Sequence, residues 1–405
     1  MVSRAPRPAN GSRCHRLRQV LFFLVALSAC GVAAAPAAAK PRYTAQTIGD
    51  VVQLRDGGTD TVVSVLTAVA NAYEMVAKGH NVFRMTIQSV DAMRANPGLN
   101  GIPLLAPFAN RLDGTYFFAN GRKYNFDLEN GTVRGPVPIH GYLASATGWK
   151  VVEAKADANG AWIAERLDFY RNPLFMQNFP FAQVITRTYR LSRGALEVRL
   201  RIDNLADEPM PLSVGYHPFY SLSDSNRKEW TLNVPARTHW LLNDAKLPTG
   251  RTEPADAFWG GDRHAVALAG FESRTIDDLF SDLERDKDGR ATVHLQGKEQ
   301  GLSVVIGPKF NALVLYSPAT SGAGGPPSPP RTQANPSPPV SKGPPVPLSA
   351  HQEVVPPQRG TIAIEPMAGI TNAMNLAQAG TYKELQSIPA RGSWTESFWL
   401  VPTGY

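Results

Sequence analysis

The sequence predicts an all-β protein, a large antiparallel sandwich preceded by an export segment. Three observations carry that expectation. Period-two alternation of apolar and polar residues recurs between short turns. No stretch shows the strand-then-helix repetition of a parallel α/β sheet. Gly and Pro number 34 each in 405 residues, too many for a helical bundle. At about 150 residues per domain, this length permits two or three domains or one large β domain.

The first 39 residues set the cellular context. Arg4, Arg7, Arg13, Arg16 and Arg18 open the chain, and no acidic residue precedes Asp50. An apolar run over residues 20–35 follows, then alanines up to Ala39. Basic, apolar and small-residue regions in that order describe a secretory signal peptide over residues 1–39. The run of 16 falls short of the roughly 20 residues that cross a bilayer, which argues against a membrane-spanning helix. Two cleavage readings compete. Ala37-Ala38-Ala39 before Lys40 suits a peptidase site, whereas Leu27-Ser28-Ala29-Cys30 resembles a bacterial lipobox whose cysteine would carry a membrane-attaching lipid. Either one exports the product, to the periplasm or to a lipid anchor on the cell envelope.

Export also disposes of the charge. Loss of residues 1–39 removes five arginines and no acid, taking the formal charge from +7 to +2. The basic composition therefore gives no case for a nucleic-acid partner. Both cysteines, Cys14 and Cys30, lie in the same segment, so the remainder is expected to hold neither a disulfide scaffold nor a C-x-x-C zinc site.

The elements follow in chain order. Residues 62–75 offer one helical candidate, made ambiguous by β-branched residues in its first half. Residues 149–156, a turn at Asp157-Ala158-Asn159-Gly160 and residues 162–169 read as a hairpin. Residues 184–191 alternate, Ser192-Arg193-Gly194 turns, and Leu196, Val198, Leu200 and Ile202 then place apolar side chains on one face. Residues 292–295, 302–306 and 312–316 add three strands. Residues 317–357 break the pattern, with 13 of the 34 prolines between Pro318 and Pro357 and almost no large apolar residue. Such a stretch cannot offset its ordering entropy and is expected to be an exposed loop. Only about 48 residues follow it, a marginal size for an independent unit. The reading is thus one domain over residues 40–405, with a Pro-rich insert and its last strands beyond the insert.

Four short segments carry polar residues in apolar, Gly/Pro-punctuated settings: Asn110-Arg111-Leu112, His140-Gly141, His217-Pro218-Phe219, and Glu365-Pro366 followed by Asn372-Ala373-Met374-Asn375. In this order and spacing, over about residues 49–402, they resemble the aldose 1-epimerase (galactose mutarotase) family. The resemblance implies a galactose mutarotase-like β-supersandwich that interconverts α and β anomers of an aldose, with no metal and no redox cofactor. It also implies Glu365 as base, His217 as acid, and His140, Arg111 and Asp277 as sugar-binding residues, with Asp278 an adjacent rival to Asp277. Anomer exchange needs a base on the anomeric hydroxyl and an acid on the ring oxygen, work that suits one carboxylate and one imidazole.

Plainer readings stand beside these. His217 and His140 also suit turns, Arg111 could pair with Asp113 or Asp127, and Asp277-Asp278 could begin a solvated acidic stretch. Glu365, inside an apolar run, is the hardest to dismiss, because a buried carboxylate needs a partner or a role. The aromatics Tyr142, Trp149, Phe219, Phe258 and Trp259 are candidates for stacking on a sugar, though core packing suits most of them. Arg111, Arg122 and Arg134 are candidates for a phosphate site, but an exported protein meets free sugars, so an unphosphorylated monosaccharide is the expected substrate. Two rivals remain: a non-catalytic carbohydrate-binding lipoprotein of the same fold, and a glycoside hydrolase using Asp277 and Glu365 as its carboxylate pair.

Overall fold

Most of the chain's strands belong to two large antiparallel sheets. The computed structural model describes residues 41–87, 89–133, 135–320 and 360–405. The expected signal segment with Cys14 and Cys30, Arg134, and all but residues 317–320 of the Pro-rich insert lie outside the described residues. Among the described residues no helix is long and apolar enough to cross a membrane.

Nine strands form one sheet, built around the hairpin of Gln183–Ser192 and Ala195–Asn204. Arg193 (φ 52°) and Gly194 (φ 75°) make its turn. The long strand Ser393–Thr403 pairs with Ala195–Asn204 on one side and Gly301–Ile306 on the other. The second large sheet runs through Ala236–Leu242, Ile276–Leu283, Ala312–Ser317 and Ile362–Met367, and then Gly215–Tyr216. Strands on either side of the insert are thus hydrogen-bonded neighbours, Ala312–Ser317 against Ile362–Met367. A five-stranded meander over residues 43–81 completes the β structure at the N-terminal end.

Residues 62–75 form no helix. Thr61–Leu66 and Asn71–Ala77 are paired strands of the meander. Every residue of Asn71–Ala77 is buried, so polar and apolar positions do not alternate, and a strand buried on both faces cannot be told from a buried helix by periodicity.

Alternation decides which face of the second sheet carries chemistry. Ile276, Phe280, Leu313, Leu315, Ile362 and Ile364 point into the main core. Tyr216 joins them there, with its ring 5.0 Å from that of Phe398 on the nine-stranded sheet. The intervening positions, Asp277, Val314, Tyr316, Glu365 and Met367, take the opposite face by the period of two. Register sets them side by side, with Asp277 opposite Tyr316 and Val314 opposite Glu365.

Candidate active site

On that face lies a cleft of about 520 Å³. This is within the roughly 300–1,000 Å³ of small-molecule sites. Arg111, His140, His217, Asp277 and Glu365 all line it, so the five residues singled out in sequence converge on one space.

Glu365 sits mid-strand in Ile362–Met367 and is 1% exposed. Its Oε1 lies 3.1 Å from His217 Nε2, while Oε2 is buried with no hydrogen-bond partner among the described residues. Burial pushes its carboxyl well above the usual range, Asp277 pushes it the same way, and Arg111 offsets only part. A carboxyl held there binds a proton tightly and faces an open cavity with one oxygen uncommitted.

His217 owes its place to a broken strand. Gly215–Tyr216 pairs with Met367 of the Glu365 strand, and Phe219–Tyr220 pairs with Ala363 and Ile362 of the same strand. Pro218 between them has no N–H to donate, so the ladder lapses at His217-Pro218. The imidazole comes to rest beside Glu365, with its ring edge-on to that of His140 at 5.1 Å and 4.7 Å from that of Phe219.

Two turns supply the opposite wall. Asn110 (φ 55°) and His140 (φ 65°) both adopt the left-handed region, as does Gly141 (φ 58°). The His140 N–H donates to Asn110 O at 2.8 Å, and Arg111 bridges to Ile139, so each turn holds the other. Asn110 Oδ1 accepts from both the Arg111 backbone N–H and Nη1. Arg111 Nη2 reaches Asp277 Oδ2 at 3.3 Å. Its partner is therefore neither Asp113, whose carboxylate accepts from Asn375, nor Asp127, to which Gln177 donates.

The two aspartates separate by strand parity. Asp277 lines the cleft. Asp278 turns the other way and is 8% exposed, with His239 Nε2 3.2 Å from Oδ1 and the Asp277 N–H donating to Oδ2. Burial works against its charge, but those hydrogen bonds, with Lys246 nearby, hold the carboxyl below its usual value. His239 Nδ1 faces Glu253 at 2.8 Å and its ring lies against Phe258 and Phe280. This cluster buttresses the Asp277 strand from behind. Asp277-Asp278 is accordingly no solvated turn but part of the strand Ile276–Leu283.

Of the aromatic candidates, Phe219 lines the cleft. Tyr142 packs on Phe169 and Phe175 and donates to Phe175 O, Trp149 is a core residue, and Phe258 and Trp259 pack around Phe280. Arg122 is exposed and 3.5 Å from Glu208. Two titratable residues of the cleft, Arg84 and Tyr316, were not among the candidates singled out in the sequence. Tyr316 is half-buried between Asp277 and Ala363, where burial and the Asp277 charge raise its hydroxyl. Arg84 had one sequence signal, a lone charge in the run Val82-Phe83-Arg84-Met85.

A two-sheet sandwich with an acid, two imidazoles and an Arg–Asp pair lining one cleft defines a galactose mutarotase-like protein. The chain matches the family described as aldose 1-epimerase over residues 86–344 and belongs to that family. The match includes Arg111, His140, His217 and Asp277 and ends before Glu365. The uncharacterized protein YphB of Escherichia coli K12 is 25% identical over 147 residues, 35% of this chain and 43% of that relative. The chain thus spans less than half the length of that relative.

Solved structures agree on the fold. A galactose mutarotase-like protein from Clostridium acetobutylicum superposes with a TM-score of 0.68 at 19% identity, covering 90% of this chain and 98% of the other. Galactose 1-epimerase from Lactobacillus acidophilus gives 0.63 at 14%, covering 90% and 98%. At such identities the likeness is one of fold.

Proposed function

We propose that this protein is an exported aldose 1-epimerase that exchanges the α and β anomers of a free, unphosphorylated aldose. The observation that carries the reading is the Glu365–His217 pair, 3.1 Å apart, in a sugar-sized cleft. Export rests on the basic, apolar and small-residue order of residues 1–39.

Glu365 and His217 share one proton across their 3.1 Å contact, and the reaction runs from the form in which it rests on the imidazole, leaving Glu365 a carboxylate. Glu365 takes the proton of the anomeric hydroxyl while His217 gives its proton to the ring oxygen, and the C1–O5 bond breaks to leave an aldehyde at C1. The C1–C2 bond turns and the O5 hydroxyl attacks the other face of C1. His217 then takes the O5 proton back and Glu365 returns its proton to O1, so both groups end as they began. Burial supports this role, because a carboxyl with raised proton affinity is a stronger base than one in water. Arg111, His140 and Asp277 hold ring hydroxyls, and Arg111 in addition restrains the Asp277 charge.

Polarimetry on freshly dissolved α-D-galactose and α-D-glucose tests the reading. Faster relaxation than the buffer rate supports it. Sugar binding without acceleration would replace it with the non-catalytic carbohydrate-binding lipoprotein, and reducing-sugar release from oligosaccharides would replace it with a hydrolase.

A further inference from the structure

Two arginines line the cleft, and they differ in what they are free to do. Arg111 is committed to Asp277 and Asn110. Arg84 makes no side-chain hydrogen bond or ion pair among the described residues, and its Nε is buried without a partner. Its Cζ lies 3.9 Å from the centroid of the Phe219 ring, a contact that orients the guanidinium without neutralising it. The backbone fixes it there, because the Arg84 N–H donates to Phe219 O. Burial lowers its pKa to about 10, which leaves it cationic at neutral pH. A half-buried charge without a counter-charge is costly, and a ligand that brings one removes the cost.

The neighbouring wall offers no such charge. Thr86, Ile87, Asn96, Leu99 and Asn100 line it, and none is acidic. Of the two carboxyl groups in the cleft, Asp277 pairs with Arg111 and Glu365 Oε1 lies against His217.

We propose that Arg84 is the anion pole of the sugar site and that the preferred substrate bears a carboxylate on C5, a hexuronic acid rather than a neutral hexose. The placement rests on the reaction proposed above, in which His217 addresses the ring oxygen O5. C5 is bonded to O5, so its exocyclic group leaves the ring on the His217 side. There the Phe219 ring, 4.7 Å from that of His217, carries Arg84 on it. One planar guanidinium fork matches one carboxylate, whereas a phosphate dianion calls for a second cation that the described wall does not supply.

Calorimetry on the full-length exported protein at pH 7 tests the proposal with D-galactose, D-galacturonic acid and D-galactose 6-phosphate. Galacturonate should bind about tenfold or more tighter than galactose, the gain expected of a charge-assisted pair in a partly buried site. Arg84→Gln should collapse that ratio toward one, and Arg84→Lys should restore part of it. Equal or tighter binding of galactose to the wild type overturns the proposal without touching the epimerase reading. Tighter binding of the 6-phosphate than of galacturonate overturns the carboxylate assignment. Should the Arg84-dependent preference appear while no sugar mutarotates faster, the anion pole stands and the epimerase reading falls.

Discussion

Gly141 tests how the cleft is held together. A Cβ at this position would overlap the carbonyl of Ala106 and come within 2.9 Å of Pro107 N, and φ is +58°. The carbonyl it strikes accepts from the N–H groups of Tyr142 (2.9 Å) and Leu143 (3.2 Å), so retreat of Ala106 loosens the contacts that seat the turn. Left-handed backbone costs a non-glycine residue roughly 1–2 kcal/mol. Overlap with backbone, which no rotamer change relieves, adds about 1–3 kcal/mol. Gly141→Ala should therefore lose about 2–5 kcal/mol in urea unfolding followed by tryptophan fluorescence, with an unchanged slope. Mutarotation should fall with it, because His140 and Arg111 share this scaffold. A loss below about 0.5 kcal/mol, the range of an ordinary surface change, would mean that the turn tolerates a Cβ and does not hold the cleft this way.

Further outcomes follow from the electrostatics. Asp277→Asn should cut kcat/KM for the sugar about tenfold or more while shifting stability by less than about 1 kcal/mol, since the Arg111 pair is partly exposed. Asp278→Asn should do the reverse, costing about 1–3 kcal/mol through the buried His239 contact, and equal effects from the two in paired unfolding and kinetic measurements would contradict the assignment of faces. Burial pushes the Glu165 carboxyl up to about 8, which Arg187 across the strand pair only partly offsets. A raised carboxyl contributes stability that is complete below its unfolded value near 4.5 and is lost as pH rises through about 8. Wild type should therefore fall relative to Glu165→Gln by up to about 1.4 kcal/mol per pH unit across that window, and parallel thermal-unfolding curves would contradict it.

Local pattern and motif order revealed much of this molecule, and the register of distant strands revealed the rest. The hairpin of Gln183–Ser192 and Ala195–Asn204 was legible because one face of each strand is buried and the other is not, so the alternation survives in sequence. Asn71–Ala77 was not, because burial on every side erases it. Arg111, His140, His217 and Glu365 stood out as polar groups in apolar or turn-forming surroundings, and they meet in space. Asp277 and Asp278 show where that reasoning stops. Strand parity guarantees that they face opposite ways, but which of them faces the cleft depends on the core-facing set of the neighbouring strands. Tyr316 reaches the cleft only through its pairing with Asp277 and Ala363, residues 39 and 47 positions away in the chain. Arg84 resembles an ordinary strand-end cation until Phe219, far along the chain, is seen beneath it.

In the proposed reaction Glu365 moves the anomeric proton. Polarimetry of wild type and Glu365→Gln on fresh α-D-galactose and α-D-galacturonic acid tests it most directly, with folding of the variant checked by its unfolding curve. Glutamine keeps the shape of the side chain and removes both the charge and the base. Wild type should speed relaxation, and Glu365→Gln, still folded, should lose at least about a hundredfold of that acceleration, the low end of a general base's contribution. A folded Glu365→Gln that relaxes both sugars at the wild-type rate would contradict it.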